Sequence, residues 1–512
     1  MKTRTTYIAL SILLVASAVG RAWIAGLIEL GNDEVYYLTY AKYPAMSHFD
    51  HPPMVGWVIQ FFTLNLRFSS EFFIRLGAVV LGTFSTLLMF LIGRRIKGPA
   101  TGLYAALLFT ASFYGFVLSG TFILPDAPQV FFWLLTLFLA VEAFFPREEA
   151  GRSRTWLIGL AGVAAGLAFL SKYHGAFLLA GLFLYVLFHD RRWFREPSTW
   201  AGLVFFLLLC LPVYLWNRSN GFVSFTFHES RVSLTGGGIK PQYLLTELAG
   251  QFFYNNPVNV VIIFLALIAV VGGKPFMAAK PMAILLWTSL PLLLMFTSFS
   301  LFRSTLPHWT GPAYLGLILI AAAWLDHRGD EDKRVLPWPV GLSLALTVAV
   351  TVLAVGQIRS GWIPSGSYSR QDVSKDLAGW RQLGTKFAAV AARDVKEGRM
   401  QAGSPLLTFR WFPAANFDYY VARPLHRYTY ALGSLERIHK FHWINKERGN
   451  IRKGSRAYYI ALSDDYEDPR TLYGALFDSV SGADTLYITR GRDTIRNAYV
   501  YRLTGLKKEI RF

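Results

Sequence analysis

Residues 72–93 read FFIRLGAVVLGTFSTLLMFLIG, an apolar run interrupted by one ionisable side chain, Arg75. Its length meets the ~20 residues a helix needs to cross a hydrocarbon core about 30 Å thick. Ten further apolar runs flank it, at about 6–28, 100–118, 127–145, 156–171, 174–189, 199–216, 257–273, 282–300, 310–326 and 337–357. Charged residues make up 16% of the chain and hydrophobic residues 53%, against about 25% charged in an ordinary soluble domain. The pattern predicts an α-helical polytopic membrane protein with about eleven transmembrane helices.

The first run, with Lys2 and Arg4 ahead of it, could pass for a signal peptide. Its apolar character continues to Leu30, beyond the usual signal length, so it is read as a retained span. The single cysteine, Cys210, permits no internal disulfide and no cysteine metal site. A net charge of +19 would suggest nucleic acid in a soluble protein. Here the positive-inside rule and anionic lipid head groups account for part of it, and no nucleic-acid partner is expected. With the N-terminus cytoplasmic, inner loops carry clusters such as Arg94, Arg95 and Lys97, or Arg191, Arg192 and Arg195. The outer loops are longer and sparser in Lys and Arg. An odd number of spans then places the C-terminus outside.

The composition changes near residue 358, dividing the chain into a transmembrane domain, 1–357, and an extracytoplasmic α/β domain, 358–512. Ser369–Lys396 has the periodicity of an amphipathic helix, with Val373, Leu377, Trp380, Leu383 and Phe387 on one face. Strands are expected at Leu406–Phe412, Ala457–Leu462 and Thr485–Thr489, with a hairpin partner at Ala498–Leu503. From Arg359 onward there are 26 Lys or Arg and 15 Asp or Glu, so +11 of the charge lies in this segment. That excess suits an acidic acceptor or lipid head groups, and equally an ordinary basic surface.

Chemistry-bearing residues gather in the segments between spans. The first outer loop, 29–71, holds Asp33-Glu34, then Tyr36-Tyr37, then Phe49-Asp50-His51-Pro52-Pro53, and an apolar stretch, Val55–Leu66, suited to an interfacial helix. Two adjacent carboxylates beside a span are costly unless used; as helix-capping acids they have a simple structural reading. Leu124-Pro125-Asp126-Ala127-Pro128 opens the fourth span, where Asp126 could likewise be a cap. Ser171-Lys172-Tyr173-His174-Gly175 joins the fifth and sixth, a loop so short that Lys172 either snorkels or meets an anion. The large outer loop, 217–256, contains Arg231, Gly236-Gly237-Gly238 and Lys240, and could fold as a lid with glycine hinges or remain a plain connection. Arg303 and Pro307-His308-Trp309-Thr310-Gly311-Pro312-Ala313-Tyr314 precede the tenth span.

Taken together, these motifs resemble the superfamily of protein O-mannosyltransferases and aminoarabinose transferases, GT-C glycosyltransferases that use polyprenyl- or dolichyl-phosphate sugars. The resemblance covers roughly residues 1–330 and extends weakly to Phe409-Arg410-Trp411-Phe412. It implies inverting-type transfer on the outer face, with Asp33 as general base, Asp126 as a supporting acid and Glu34 orienting the loop. Tyr36, Tyr37, His51, Tyr173, His174 and His308 would line the substrate site. Phosphate would be met by Lys172 and Arg231, ahead of Arg303 and Lys240. A bacterial inner membrane and an undecaprenyl carrier are likewise implied by resemblance, with a glycolipid, lipid A, an envelope glycan or a protein as acceptor.

The histidines lack the spacing of a zinc site, so no cofactor is predicted, although a divalent metal stays compatible with the chemistry. A lipid or sugar transporter or flippase is the principal alternative class, but it would place ionisable groups at mid-membrane. In a polymerase or ligase the large outer loop falls late in the chain. A non-catalytic scaffold leaves the first-loop acids unexplained.

Overall fold

The computed structural model describes residues 3–145, 154–232, 238–273, 275–329, 336–363 and 372–512; Gly236, Gly237 and Ser369 lie outside them. The chain forms two compact units. One comprises Met1–Ala25 and Ala45–Val350, the other Gly26–Pro44 and Thr351–Phe512.

The first unit is helical, and every apolar run of the sequence falls on a helix. Among the described residues seven helices are long and apolar enough to span alone: Arg4–Leu27, Glu71–Ile96, Asp126–Phe144, Pro197–Ser219, Ala279–Phe299, Pro307–Gly329 and Trp338–Ser360. The run at 257–273 is half of a bent pair, Pro241–Tyr254 and Pro257–Val271, angled at 101°. Three more, Pro99–Ala111, Trp156–Ser171 and Gly175–His189, are apolar but shorter. The expected interfacial helix at Val55–Leu66 is only Met54–Phe62, because Leu64, Asn65 and Leu66 take positive φ and end it.

Two arginines buried inside this bundle donate to backbone carbonyls. Arg75, the lone charge of the run 72–93, is buried, donates to the Ala25 carbonyl at 3.0 Å and lies 5.2 Å over the Phe122 ring. Arg21 is buried as well, donating to the Gly115 carbonyl at 3.4 Å. Small residues let helices touch: a Cβ on Gly162 would lie 2.2 Å from the Gly202 carbonyl oxygen, so Trp156–Ser171 and Pro197–Ser219 cross backbone to backbone.

The second unit is α/β. Its strands are β1 (Leu406–Thr408), β2 (Thr429–Ala431), β3 (Ala457–Leu462), β4 (Phe477–Val480), β5 (Asp484–Arg490) and β6 (Asp493–Leu506). The sheet runs β2-β1-β3-β6-β4, with β5 also on β6; β1 is parallel to both β2 and β3, and all pairings of β6 are antiparallel. The expected hairpin is present as β5–β6. The strand expected at Leu406–Phe412 stops at Thr408, because Trp411 begins a short helix, Trp411–Asn416. The long amphipathic helix expected to reach Lys396 begins only at Trp380, since Gly379 adopts φ +90° and breaks it.

Residues 26–44 pack within this second unit. Glu29 accepts hydrogen bonds from the Trp380 and Arg381 amides at 2.7 and 3.3 Å, capping the helix Trp380–Lys396 where its dipole is positive. The Leu30 amide donates to the Tyr420 hydroxyl at 2.6 Å, and Lys42 pairs with Asp418 at 3.1 Å. The sheet is tied to Trp380–Lys396 by Asp394, fully buried, which receives Arg502 through two bonds of 2.6 and 2.9 Å. Asp394 also meets Arg399 at 3.1 Å and the Tyr458 hydroxyl at 3.2 Å, so losing Arg502 leaves the buried charge partly compensated, at the lower end of the range, about 3–5 kcal/mol, that breaking a buried pair costs. Arg502→Met is therefore expected to lower thermal stability of the purified protein sharply, whereas Arg511→Met, whose partner Glu509 is solvent-facing, should leave it within about 0.5 kcal/mol.

Candidate functional site

In the first unit, the motif residues converge on a buried ion pair. Pro125-Asp126-Ala127-Pro128 starts the helix Asp126–Phe144, placing an acid in its first turn; Lys172 caps the C-terminus of Trp156–Ser171. Each charge thus suits the dipole of its own helix. Both residues are 2% exposed, and the Lys172 ammonium donates to the two Asp126 oxygens at 3.0 and 2.9 Å. Tyr114, on a π-helical turn Tyr114–Leu118, donates its hydroxyl to Asp126 at 2.9 Å. That ring fills the space beside Gly311, where a Cβ would lie 2.2 Å from it. His308 lies within electrostatic range of both Asp126 and Lys172. His174 packs against Phe296 and Trp309, with ring centroids 4.9 and 6.0 Å apart, and its Nδ1 is buried without a hydrogen-bond partner among the described residues.

A second cluster adjoins through Tyr173, whose ring lies 5.1 Å from that of His228. The loop His48–Pro53 is fastened to the helix Val223–Val232: Ser224 donates to the His48 carbonyl, and His228 Nε2 contacts the Asp50 carbonyl, both at 2.8 Å. His51 and His228 face each other at 6.2 Å. Burial pushes His51 down to about 3, with Asp50 opposing and Lys172 adding to the shift; burial also lowers His228. Arg231, on the same helix, is exposed and stands 4.4 Å over the Phe227 ring.

Other expected site residues lie elsewhere. The Lys240 amide donates to the Leu301 carbonyl, and that of Arg303 to Phe299, so both belong where the helix Pro241–Tyr254 meets residues 299–305. There Glu247 accepts from Thr305 at 2.6 Å, and Gln251 accepts from Tyr314 at 3.0 Å.

Asp33, Glu34, Tyr36 and Tyr37 belong to the second unit. Glu34 is buried and caps the helix Asn32–Lys42, accepting from the Gly31 amide at 2.9 Å, while its neighbour Asp33 is exposed. Tyr36 and Tyr37 are buried in an aromatic cluster, Tyr36 lying 4.9 Å from Trp411 and 5.5 Å from Tyr40. Sequence reasoning missed Tyr114 and the Glu247–Gln251 pair, and quoted Asp50 in the first-loop motif without giving it a role. No local signal marks Tyr114; the Tyr114-facing Gly311 was visible only as part of a motif. Among the described residues no three His, Cys, Asp or Glu side chains gather as a metal set.

The chemical capacity of the first-unit cluster is anion binding. Among the described residues Lys172 spends two of its three donors on Asp126, leaving one, near the half-buried imidazoles of His174 and His308, for an anion in a setting of low dielectric where such bonds are strong.

Comparisons with known proteins bear on the fold and the superfamily. Residues 50–216 match the family model of dolichyl-phosphate-mannose-protein mannosyltransferases. The lipid A galacturonosyltransferase RgtD of Rhizobium johnstonii is 26% identical over 321 residues, 62% of this chain and 63% of that protein. An uncharacterised protein of Aquifex aeolicus is 28% identical over 320 residues, 59% of this chain and 57% of its own. The chain thus spans less than two thirds of the length of these relatives. In fold, it resembles the crystal structure of ArnT from Cupriavidus metallidurans bound to undecaprenyl phosphate, with a TM-score of 0.63 at 15% identity, covering 96% of this chain and 97% of that one. The apo ArnT structure gives 0.58 over the same shares. These findings support the superfamily resemblance drawn from the motifs. The chain has the GT-C fold and is a multi-pass membrane protein.

Two outcomes are expected of this arrangement. Lys172→Ala should destabilise the purified protein by about 3–5 kcal/mol by stranding Asp126, and Lys172→Gln combined with Asp126→Asn should recover part of the loss in detergent melts. A single variant as stable as wild type would contradict the buried pair. The neutral histidines set a pH dependence. Below pH 6.5 the unfolded chain takes up a proton that folded His51 refuses until about pH 3, so stability should fall across that window by up to about 1.4 kcal/mol per pH unit, and the lowered His228 acts in the same direction. His228→Gln should flatten that slope in melts between pH 7 and 5 and change nothing above pH 7.

Proposed function

We propose that this chain is a membrane glycosyltransferase that moves a sugar from a polyprenyl-phosphate carrier to a hydroxyl or phosphate of lipid A or a related envelope glycolipid. The observation that carries this reading is the buried Lys172–Asp126 pair with one ammonium donor and the His174 Nδ1 left unused among the described residues. A lipid phosphate is the ligand such a pocket suits: anionic, membrane-delivered and short of donors. The likeness to RgtD favours a lipid A-type acceptor. Outer-face chemistry follows from the Lys and Arg asymmetry of the loops.

In this reading the leaving group is the carrier phosphate. The acceptor oxygen attacks the anomeric carbon from the opposite face, so the new C–O bond forms as the bond to phosphate oxygen breaks, inverting that centre. Lys172 stabilises charge developing on the departing phosphate. Asp126 and Tyr114 hold that ammonium in place. Arg231, exposed on the helix Val223–Val232, supplies further positive charge. Asp33, the exposed acid of the first loop, takes the acceptor proton. Glu34, spent on the Gly31 amide, fixes the helix that carries Asp33.

The test is turnover of radiolabelled polyprenyl-phosphate sugars by wild type and Asp33→Asn, each reconstituted with membrane lipid extract. Wild type should consume one donor and label a glycolipid, and the variant should keep donor binding but lose about 10²–10⁴ in rate. Normal turnover by Asp33→Asn would remove Asp33 as base. A wild type that neither binds nor consumes any donor would overturn the enzyme reading in favour of transport.

A further inference from the structure

A cavity of about 390 Å³ lies between the helices Trp156–Ser171, Gly175–His189 and Pro197–Ser219. Its wall is almost wholly hydrocarbon and aromatic, including Ala161, Ala180, Phe183, Phe194, Trp200 and Phe206. Along Gly175–His189 it runs from Ala176 to Val186. At 1.5 Å per residue that is ~15 Å, about half of a ~30 Å hydrocarbon core and so the depth of one leaflet. The volume is in the range of a ligand site, of about 300–1,000 Å³, and far beyond ordinary packing defects.

One end of this slot is strongly cationic. Phe194 and Trp200, which line it, flank or belong to the turn Arg191–Arg195 and the helix start that follows. Arg191, Arg192 and Arg195 are all exposed there. Their local acids are Asp190, which Arg192 meets at 2.9 Å and Lys280 at 4.0 Å, and Glu196; with Lys280 counted, cations outnumber acids four to two. Beside them three buried polar atoms, Trp193 Nε1, Ser198 Oγ and Thr199 Oγ1, have no hydrogen-bond partner among the described residues. Trp193 is itself 4% exposed, and Thr199 lines the cavity. Buried donors without partners are costly in a native protein; of these three Thr199 lines the slot, and Trp193 and Ser198 are its near neighbours in the chain.

We infer that this is a binding site for an anionic phospholipid, with one acyl chain in the slot and the phosphate at Arg191, Arg192 and Arg195. Charge complementarity selects the occupant. A zwitterionic lipid would fill the slot but gain little from the arginines, whereas an anionic head group gains from each. Ester and phosphate oxygens of the same lipid would accept from Trp193 and Thr199. The site is separate from the Lys172–Asp126 cluster and does not rest on the proposed reaction.

Native mass spectrometry of the purified full chain, titrated with phosphatidylglycerol, phosphatidylethanolamine or undecaprenyl phosphate, tests it. Wild type should retain one phosphatidylglycerol at least tenfold more tightly than phosphatidylethanolamine. The triple variant R191Q/R192Q/R195Q should bring the two lipids level. Ala180→Phe, which fills the slot, should reduce retention of both, and Ala180→Leu should do so by less if the bulkier variant misfolds; a melt in the same detergent identifies that case. Equal retention of the two phospholipids by wild type would overturn the inference. So would phosphatidylglycerol binding that survives both the arginine and the slot variants. Displacement of phosphatidylglycerol by undecaprenyl phosphate at equal concentration would also overturn it, assigning the slot to the carrier's tail instead.

Discussion

The interaction on which the first unit depends is the buried bond between Lys172 and Asp126. A lone charge in an apolar helical bundle is expensive, and an ion pair is tolerated there only when most of its remaining hydrogen-bonding capacity is filled. That requirement fixes several elements at once. The helix Asp126–Phe144 must begin where its first turn faces the end of Trp156–Ser171, and the π-helical turn must present Tyr114 to the same carboxylate. Position 311 must lack a side chain for the tyrosine ring to fit. The packing that satisfies the pair is therefore also what holds one ammonium donor ready for an anion.

In the second unit acids are used differently. Glu29 and Glu34 both spend their carboxylates on backbone amides at helix starts, one across 351 residues of chain and one locally. Asp33, between them in sequence, remains at the surface. A stretch of three acids within six residues is thus divided by geometry into two structural caps and one exposed carboxylate. The aromatic cluster of Tyr36, Tyr40 and Trp411 and the ion pair of Lys42 with Asp418 hold the helix that presents it.

Much of this architecture was legible in the sequence, because a membrane imposes length and apolarity on each crossing. All the apolar runs became helices, although Pro99–Ala111 and Gly175–His189 are shorter than a full crossing and Pro257–Val271 bends away from its neighbour. The long strands β3, β5 and β6 were also visible as β-branched and aromatic runs. The start of β1 was visible too, though read as far as Phe412, whereas the short β2 was not, since three residues carry no periodicity, and the break at Gly379 depends on a backbone angle that sequence alone does not state. The motifs located Asp126 and Lys172 separately, 46 residues apart; nothing local said that they were partners. Likewise the adjacent Asp33 and Glu34 were conspicuous, but which one faces outward was decided by the helix that starts at Asn32.

The proposed reaction requires the first-unit cluster to receive a lipid phosphate. The most direct measurement compares equilibrium binding of undecaprenyl phosphate and of the uncharged alcohol undecaprenol to the purified protein and to the Asp126→Asn, Lys172→Gln double variant. Wild type should prefer the phosphate by at least about tenfold, or 1.4 kcal/mol, added salt should weaken this only slightly because the pair is buried, and the folded double variant should lose the preference. Equal binding of phosphate and alcohol by wild type would contradict it.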